Sequence, residues 1–463
     1  MKKLLLFLAL AAGTLTGWAD ELYVVGNATA HNDYAWDGAR DPYKLEETST
    51  GVYSWKGLLK QGRFKVCTGK KTWNAYQPDT DNLEIDASGT EQTISFVEDV
   101  TGAPDRQWKV VNPGIYVVTV SLAAYTISIT PEWTDISTAD GLITFANSVN
   151  DATESSKENA RWARLTADID MDGKTFLGIG RDGDKWTRYV GTFDGQGHVI
   201  SNLDMTSDNC SFVTFAGGGC TVKNLLIDNT CSFDGTGRIA ALISGCNYSD
   251  FGVPLTIESC GNEANVTGTA NNCAGLLGCN YGNGIKVTIK NSFNAGNISS
   301  IGSQSAPISG WLGSNARVEN TYNIGSIDSG SENNSFARWD GTGSSYENCY
   351  TTLNWGTSIS GKTINYDEDN VTSGLLCYSL NGSNSGGENW KQTLPSSTGD
   401  SHPYPGVFAG HAKVYANGDT HCDGSAKGTV TYSNAEGENR DDHDYKMVSA
   451  LIATTLMLPI LPL

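Results

Sequence analysis

Tryptophan in polar loops is the first sign of chemistry in this chain. Trp36 stands in His31-Asn32-Asp33-Tyr34-Ala35-Trp36-Asp37-Gly38, and Trp73 in Lys70-Lys71-Thr72-Trp73-Asn74. An exposed indole needs a reason. Sugar rings offer C–H faces that stack on it, and neighbouring polar groups fix their hydroxyls. The residues alone leave two readings open for Trp36 and Trp73: a glycan platform or ordinary packing. Trp55 lies in an alternating, strand-like run and is assigned to packing.

The carboxylates form a weaker pattern. Inverting glycoside hydrolysis needs an acid and a base about 6.5–9.5 Å apart. Asp194, Asp204, Asp228 and Asp234 occur in the central region, but none belongs to an Asp-Asp pair or to an acidic cluster with a basic residue. A lyase needs a Ca²⁺-bound uronate and an Arg or Lys base, and neither pattern is visible. Asp168-Ile169-Asp170-Met171-Asp172-Gly173 imitates half of an EF-hand loop, yet Ile179 stands where the bidentate carboxylate belongs. That run reads as a strand leading into a turn, and His198 as a structural turn residue. No His-Glu-x-x-His motif is present. His421-Cys422-Asp423-Gly424 and Asp441-Asp442-His443-Asp444-Tyr445 lack a four-ligand order and read as solvated surface. The expectation is therefore no catalytic residue, no metal and no cofactor.

Composition narrows the partners. The 463 residues carry a net charge of −20, with 53 Gly and 12 Pro. Such a surface repels nucleic acid and anionic polymers at long range. Neutral polysaccharides or host glycans, or surface proteins, are the expected partners. Met1-Lys2-Lys3, the apolar run Leu4 to Ala12 and Gly17-Trp18-Ala19 read as a secretory leader over residues 1–19. No Cys follows that run, so no lipoprotein anchor is expected. Export permits disulfides, and 11 Cys leaves at least one thiol unpaired or intermolecular.

The elements that must position these residues are short strands. Over 20–132, runs such as Leu22–Gly26, Gly51–Gly57, Gly62–Cys67 and the hairpin Ile115–Val120 with Tyr125–Ile129 predict a β-sandwich. Over 133–375, Ser137-Thr138-Ala139-Asp140 marks a helix start, followed by Leu142, Phe145, Ala146 and Val149 at helical spacing. This short helix is expected to plug a solenoid. Gly191-Thr192-Phe193-Asp194-Gly195-Gln196-Gly197-His198-Val199-Ile200 reads as a strand, a tight glycine corner and a second strand. Then Asn291-Ser292-Phe293-Asn294-Ala295-Gly296-Asn297-Ile298 recurs as Asn320-Thr321-Tyr322-Asn323-Ile324-Gly325-Ser326-Ile327, with fainter copies at Ser259 and Asn348. The period of about 28–35 residues predicts a parallel β-helix with equivalent positions stacked. Asn291 should sit over Asn320 and Phe293 over Tyr322. The aromatic row, having more apolar area, is assigned to the interior. Cys260 and Cys349 then fall in the small-residue row with Ser292 and Thr321, too many rungs apart to bridge. Residues 376–446 are expected to close the second end. The apolar tail 447–463 is either a membrane anchor or an altered terminus.

Two resemblances sharpen these expectations. The first module, through L-Y-V-V-G, Trp36-Asp37, V-Y-S-W-K-G, Phe64-Lys65-Val66, Trp73-Asn74 and G-I-Y-V-V-T-V, resembles the binding domains of the starch-utilisation outer-membrane proteins E and F. That resemblance implies α-glucan binding by Trp36, Trp73 and Lys65. The second module, through L-T-A-D-I-D-M, G-T-F-D-G-Q-G-H-V-I-S-N-L and Ala274-Gly275-Leu276-Leu277-Gly278, resembles GLUG-motif proteins. These occur as surface adhesins and beside protease domains, and carry no family-wide catalytic set. The fold class expected is all-β, an N-terminal β-sandwich followed by a right-handed parallel β-helix with a short capping helix. The function expected is exported, surface-associated glycan binding without catalysis. A β-helix polysaccharide lyase or glycoside hydrolase is the alternative, and a purely structural adhesin a second.

Overall fold

The structure, a computed structural model, describes residues 21–29, 43–69, 73–86, 88–98, 105–151, 156–183, 186–248, 253–269, 272–281, 285–300, 304–328, 333–354, 363–418 and 430–436. Residues 1–19, read above as a leader, Trp36, the two histidine-containing runs at 421–424 and 441–445, and residues 447–463 lie outside them. The chain is 47% strand and 7% helix. It divides into two units: Met1–Thr134 with Ala160–Trp162, and Asp135–Asn159 with Ala163–Leu463. Among the described residues no helix is long and apolar enough to cross a membrane.

The first unit is a sandwich of a six-stranded and a five-stranded sheet. Gly114–Ser121 is central to the second sheet, pairing antiparallel with Val52–Leu59 on one side and Thr126–Pro131 on the other. Its alternation is strict: Tyr116, Val118 and Val120 point into the core while Ile115, Val117 and Thr119 do not. Trp55 and Trp108 are also core residues. Trp162, far along the sequence, completes this core. Its indole N–H donates to the Pro113 carbonyl at 2.8 Å, and its ring leaves no room for a Cβ at Gly114.

The second unit is a parallel β-solenoid of about 6 turns. Successive rungs pair through a long sheet, a six-stranded sheet and a four-stranded sheet. Thr138 caps the helix Ala139–Asn150, its hydroxyl accepting from the Gly141 N–H at 3.1 Å. Leu142, Phe145, Ala146 and Val149 all enter the solenoid core, with Phe145 edge-on to Tyr189. The expected glycine corner is different. Thr192–Ser201 is one continuous strand, with a bulge between Asp194 and His198. Gln196 and Gly197 take the left-handed conformation, φ +52° and +82°. Gly195 is needed for space instead: a Cβ there would lie 2.4 Å from the Asn224 carbonyl oxygen. The extra residue of a bulge bends the strand without ending it.

The repeats stack in the expected register, Phe293 opposite Tyr322 and Tyr322 opposite Tyr350. The Phe293 and Tyr322 rings are 5.3 Å apart and nearly coplanar in orientation, at 6°. Two amide ladders run beside them. On the left-handed corners, the Asn320 amide donates to the Asn291 carbonyl oxygen at 3.1 Å and Asn348 to Asn320 at 2.8 Å. Fully buried, Asn262 donates to Asn294 and Asn294 to Asn323, both at 2.8 Å.

The assignment of the aromatic row to the interior is corrected. Cys260 and Cys349 belong to the solenoid core, and Ser292 and Thr321 are fully buried at the same positions. Each donates to the carbonyl two residues before it: Ser292 to Lys290 at 2.8 Å, Thr321 to Glu319 at 2.7 Å, Cys260 to Glu258 and Cys349 to Glu347 at 3.3 Å. The inner corner needs a small side chain with a donor, because a buried carbonyl without a partner is costly. An aromatic ring satisfies neither demand. Cys260 and Cys349 remain separate thiols, and burial pushes both up to about 12.

The aromatic row faces outward and is covered by the last segment of the chain. Phe293, Tyr322 and Tyr350 form a second core with Leu376, Leu380, Trp390, Phe408 and Val414. The cover is pinned by polar contacts. The Tyr322 hydroxyl donates to the Pro403 carbonyl and meets His402 Nδ1 at 2.8 Å. Glu263 Oε1 accepts from the Tyr404 hydroxyl at 2.6 Å and lies 3.4 Å from His402 Nε2. Tyr404 stacks on His411 at 4.0 Å, and His411 meets Asp400 at 2.8 Å. Burial opposes ionisation of Glu263, but the His402 and Tyr404 contacts outweigh it and hold the carboxyl below its ordinary value of 4.5.

Two outcomes follow for stability. Asn294→Ala removes a ladder amide and leaves its neighbours with unmet polar atoms, so it should destabilise the solenoid by about 2 kcal/mol or more in urea unfolding. Asn320→Ala, on the less buried ladder, should cost less. The depressed Glu263 carboxyl contributes stability above pH 4.5 that is lost as pH falls through its folded value. Glu263→Gln should therefore flatten part of the acid limb of melting temperature against pH.

Candidate functional site

Strand alternation decides what the Gly62–Thr68 strand offers to each side. Phe64 and Val66 enter the sandwich core, whereas Lys65 and Cys67 lie on the opposite face. That face is a small apolar cluster of Tyr23, Val25, Cys67 and Ala75, with Trp73 and Val97 packed against it. Lys65 is only 1% exposed. Its ammonium donates to Asp105 Oδ1 at 2.5 Å and lies 5.4 Å from the centroid of the Trp73 ring. Burial pushes the Cys67 thiol up to about 12, with Lys65 opposing and Asp105 adding to the rise.

Lys65 and Trp73 are thus brought together. Trp73 is half-buried and presents part of its indole outward. Lys65 is a positioning residue in this arrangement: it orients Trp73 from below through a cation–π contact and holds Asp105 at the rim. Asp105, whose side chain is 44% exposed, was not visible as a site residue. It lies 40 residues from Lys65 in sequence, and no motif marks it. A half-exposed indole beside a carboxylate can stack on a sugar ring and accept from its hydroxyls.

Asp194, Asp204 and Asp228 are each engaged by neighbouring polar groups. Asp194 is bound by Lys223 at 3.2 Å, by the Asn224 amide at 2.9 Å and by the Gln196 N–H at 2.9 Å. Asp204 accepts from Ser232, and Asp228 from Thr230. Within the EF-hand-like run, Asp168 meets His198 Nδ1 and accepts from the Val199 N–H, both at 3.0 Å. Asp170 accepts from the Asn202 amide and its own turn, which hold its carboxyl below the ordinary value. Ile169–Asp170 is a strand leading into that turn. Among the described residues no group of three or more His, Cys, Asp or Glu is placed to hold a metal ion.

No protein-family model matches the chain, and no curated protein does. A solved structure that does resemble it is described as a putative immunoglobulin A1 protease from Bacteroides ovatus. It is 17% identical, with a TM-score of 0.42, and the match covers 60% of this chain and 93% of that one.

Proposed function

We propose that this is an exported, surface-associated protein that binds neutral, glucan-like chains through its sandwich and carries out no catalysis. The observation that supports it is the half-buried Trp73 with the Lys65 ammonium against its ring, that ammonium being paired in turn with Asp105. Trp73 stacks on a sugar ring and Asp105 accepts from its hydroxyls. Lys65 keeps both in place, and Trp36 supplies the second indole that the resemblance to the starch-utilisation proteins implies. The resemblance to GLUG-motif proteins belongs to the same reading and gives the solenoid the part of a stalk or adhesion surface. Export rests on the leader-like residues 1–19.

Affinity electrophoresis of the full chain through amylopectin tests the binding. Trp73→Ala should weaken retardation about tenfold in affinity, 1.4 kcal/mol; unchanged retardation refutes the assignment. The absence of catalysis is tested separately. Incubation with pectin or starch should release no new sugar ends, and product formation abolished by Asp194→Asn would reverse this conclusion.

A further inference from the structure

The six-stranded sheet of the solenoid carries an aromatic stripe on its outer face. Tyr189, Ala216 and Cys246 are in register on successive rungs and enter the core. Alternation turns the preceding residue of each rung outward, which gives Arg188, Phe215 and Gly245 in one column. Gly245 pairs with Cys279 and Cys279 with Trp311. The Ser309–Ala337 bridge then brings Trp339 opposite Trp311 on the next rung.

Planar groups lie on this column except at Cys279; Phe215 is buried, whereas Trp186, Tyr281 and Trp311 are partly exposed and Trp339 is exposed. Trp186 stacks on the Arg188 guanidinium at 3.9 Å. Tyr281 lies over Gly245, where a Cβ would come within 2.9 Å of its ring, and meets Phe215 edge-on at 6.1 Å. Trp311 and Trp339 stack at 4.9 Å and 15°. Six rungs at strand spacing span roughly 25 Å. Trp339 is 51% exposed and sits at φ +50°, a left-handed conformation that costs an aromatic residue about 1–2 kcal/mol. Such strain concentrates where a side chain must be presented. Two arginines of the stripe are ion-paired, Arg188 with Glu158 at 3.3 Å and Arg238, which lies on Tyr281, with Asp182 at 2.8 Å, while the Arg338 guanidinium lies 5.1 Å from the Trp339 ring centroid.

We propose that this face is a second binding site, for an extended, neutral, β-linked polysaccharide chain lying along the solenoid axis. A straight column with planar groups on five of six rungs matches a chain whose pyranose rings advance by about the rung step, roughly 5 Å. A helical α-glucan curves away from such a column. The Arg188–Glu158 and Arg238–Asp182 pairs cancel their own charges, and the chain's net charge of −20 opposes a polyanion. Trp339 and Trp311 are the end platform, and the Arg188–Glu158 and Arg238–Asp182 pairs supply donors and acceptors to ring hydroxyls. The site does not rest on the sandwich reading.

The test uses the full chain with cellohexaose in titration calorimetry and hydroxyethylcellulose in affinity electrophoresis. The wild type should bind both. Trp339→Ala should lower affinity at least about tenfold, and Trp339→Phe should retain most of it. Melting temperatures of the variants check that the fold is kept. Amylopectin retardation that responds to Trp73→Ala alone reports on the sandwich and leaves this assignment standing. No binding of either β-glucan by the wild type, equal binding by Trp339→Ala, or preference for polygalacturonate would overturn the proposal. So would a concentration-dependent dimer that Trp339→Ala dissolves, since the face would then belong to a second copy.

Discussion

Side-chain amides stacked one rung apart hold the solenoid in register. Asn262, Asn294 and Asn323 are fully buried, and each amide that donates to the next rung also donates to a carbonyl of its own turn. A slip of one residue would leave those groups unpaired in a dry interior, where each costs about 1–3 kcal/mol. Register fixed in this way lets neighbouring rungs repeat the same chemistry at equivalent positions. The inner corner carries small donors at Cys260, Ser292, Thr321 and Cys349, and the outer flank carries rings at Phe293, Tyr322 and Tyr350. The fold's chemistry is therefore written down the axis rather than along the chain.

How legible this was depends on the range of the interaction. The repeat of Asn-Ser-Phe-Asn as Asn-Thr-Tyr-Asn gave the register, because stacked positions are a local property of the repeat. The capping helix was equally plain, since Thr138 and the spacing of Leu142, Phe145, Ala146 and Val149 lie within a dozen residues. Which row faces inward was not legible. Area alone favours rings inside, but the corner carbonyls of Lys290 and Glu319 require donors. The cover that buries the rings comes from Trp390 and Phe408, far downstream. The Asp-Gly-Gln-Gly bulge was misread for a related reason: glycine marks a turn and a close backbone approach alike, and Gly195 serves the second.

The sandwich site shows the same division. Lys65 and Trp73 were visible as residue types, and alternation along one strand is enough to place Lys65 outward. Asp105 was not, because only the fold brings it to the ammonium. The pairing changes what Lys65 does. A lysine that is 1% exposed cannot offer its charge to a ligand. It instead fixes the geometry of the two groups that can. Trp162 carries the point to packing: it stands 49 residues beyond Pro113, whose carbonyl it binds, yet fills the core of the same unit.

The covered aromatic row has a consequence for the order of events during synthesis. A solenoid can build rung by rung from its N-terminal end as the chain emerges. Phe293, Tyr322 and Tyr350 stack as soon as their rungs form, yet Trp390, His402 and Phe408 arrive only later. For that interval the nascent protein displays a stripe of three rings with nothing over it, and any chain halted before residue 390 displays it permanently. The final segment is thus what removes these rings from water, and it does so only after the rungs that carry them.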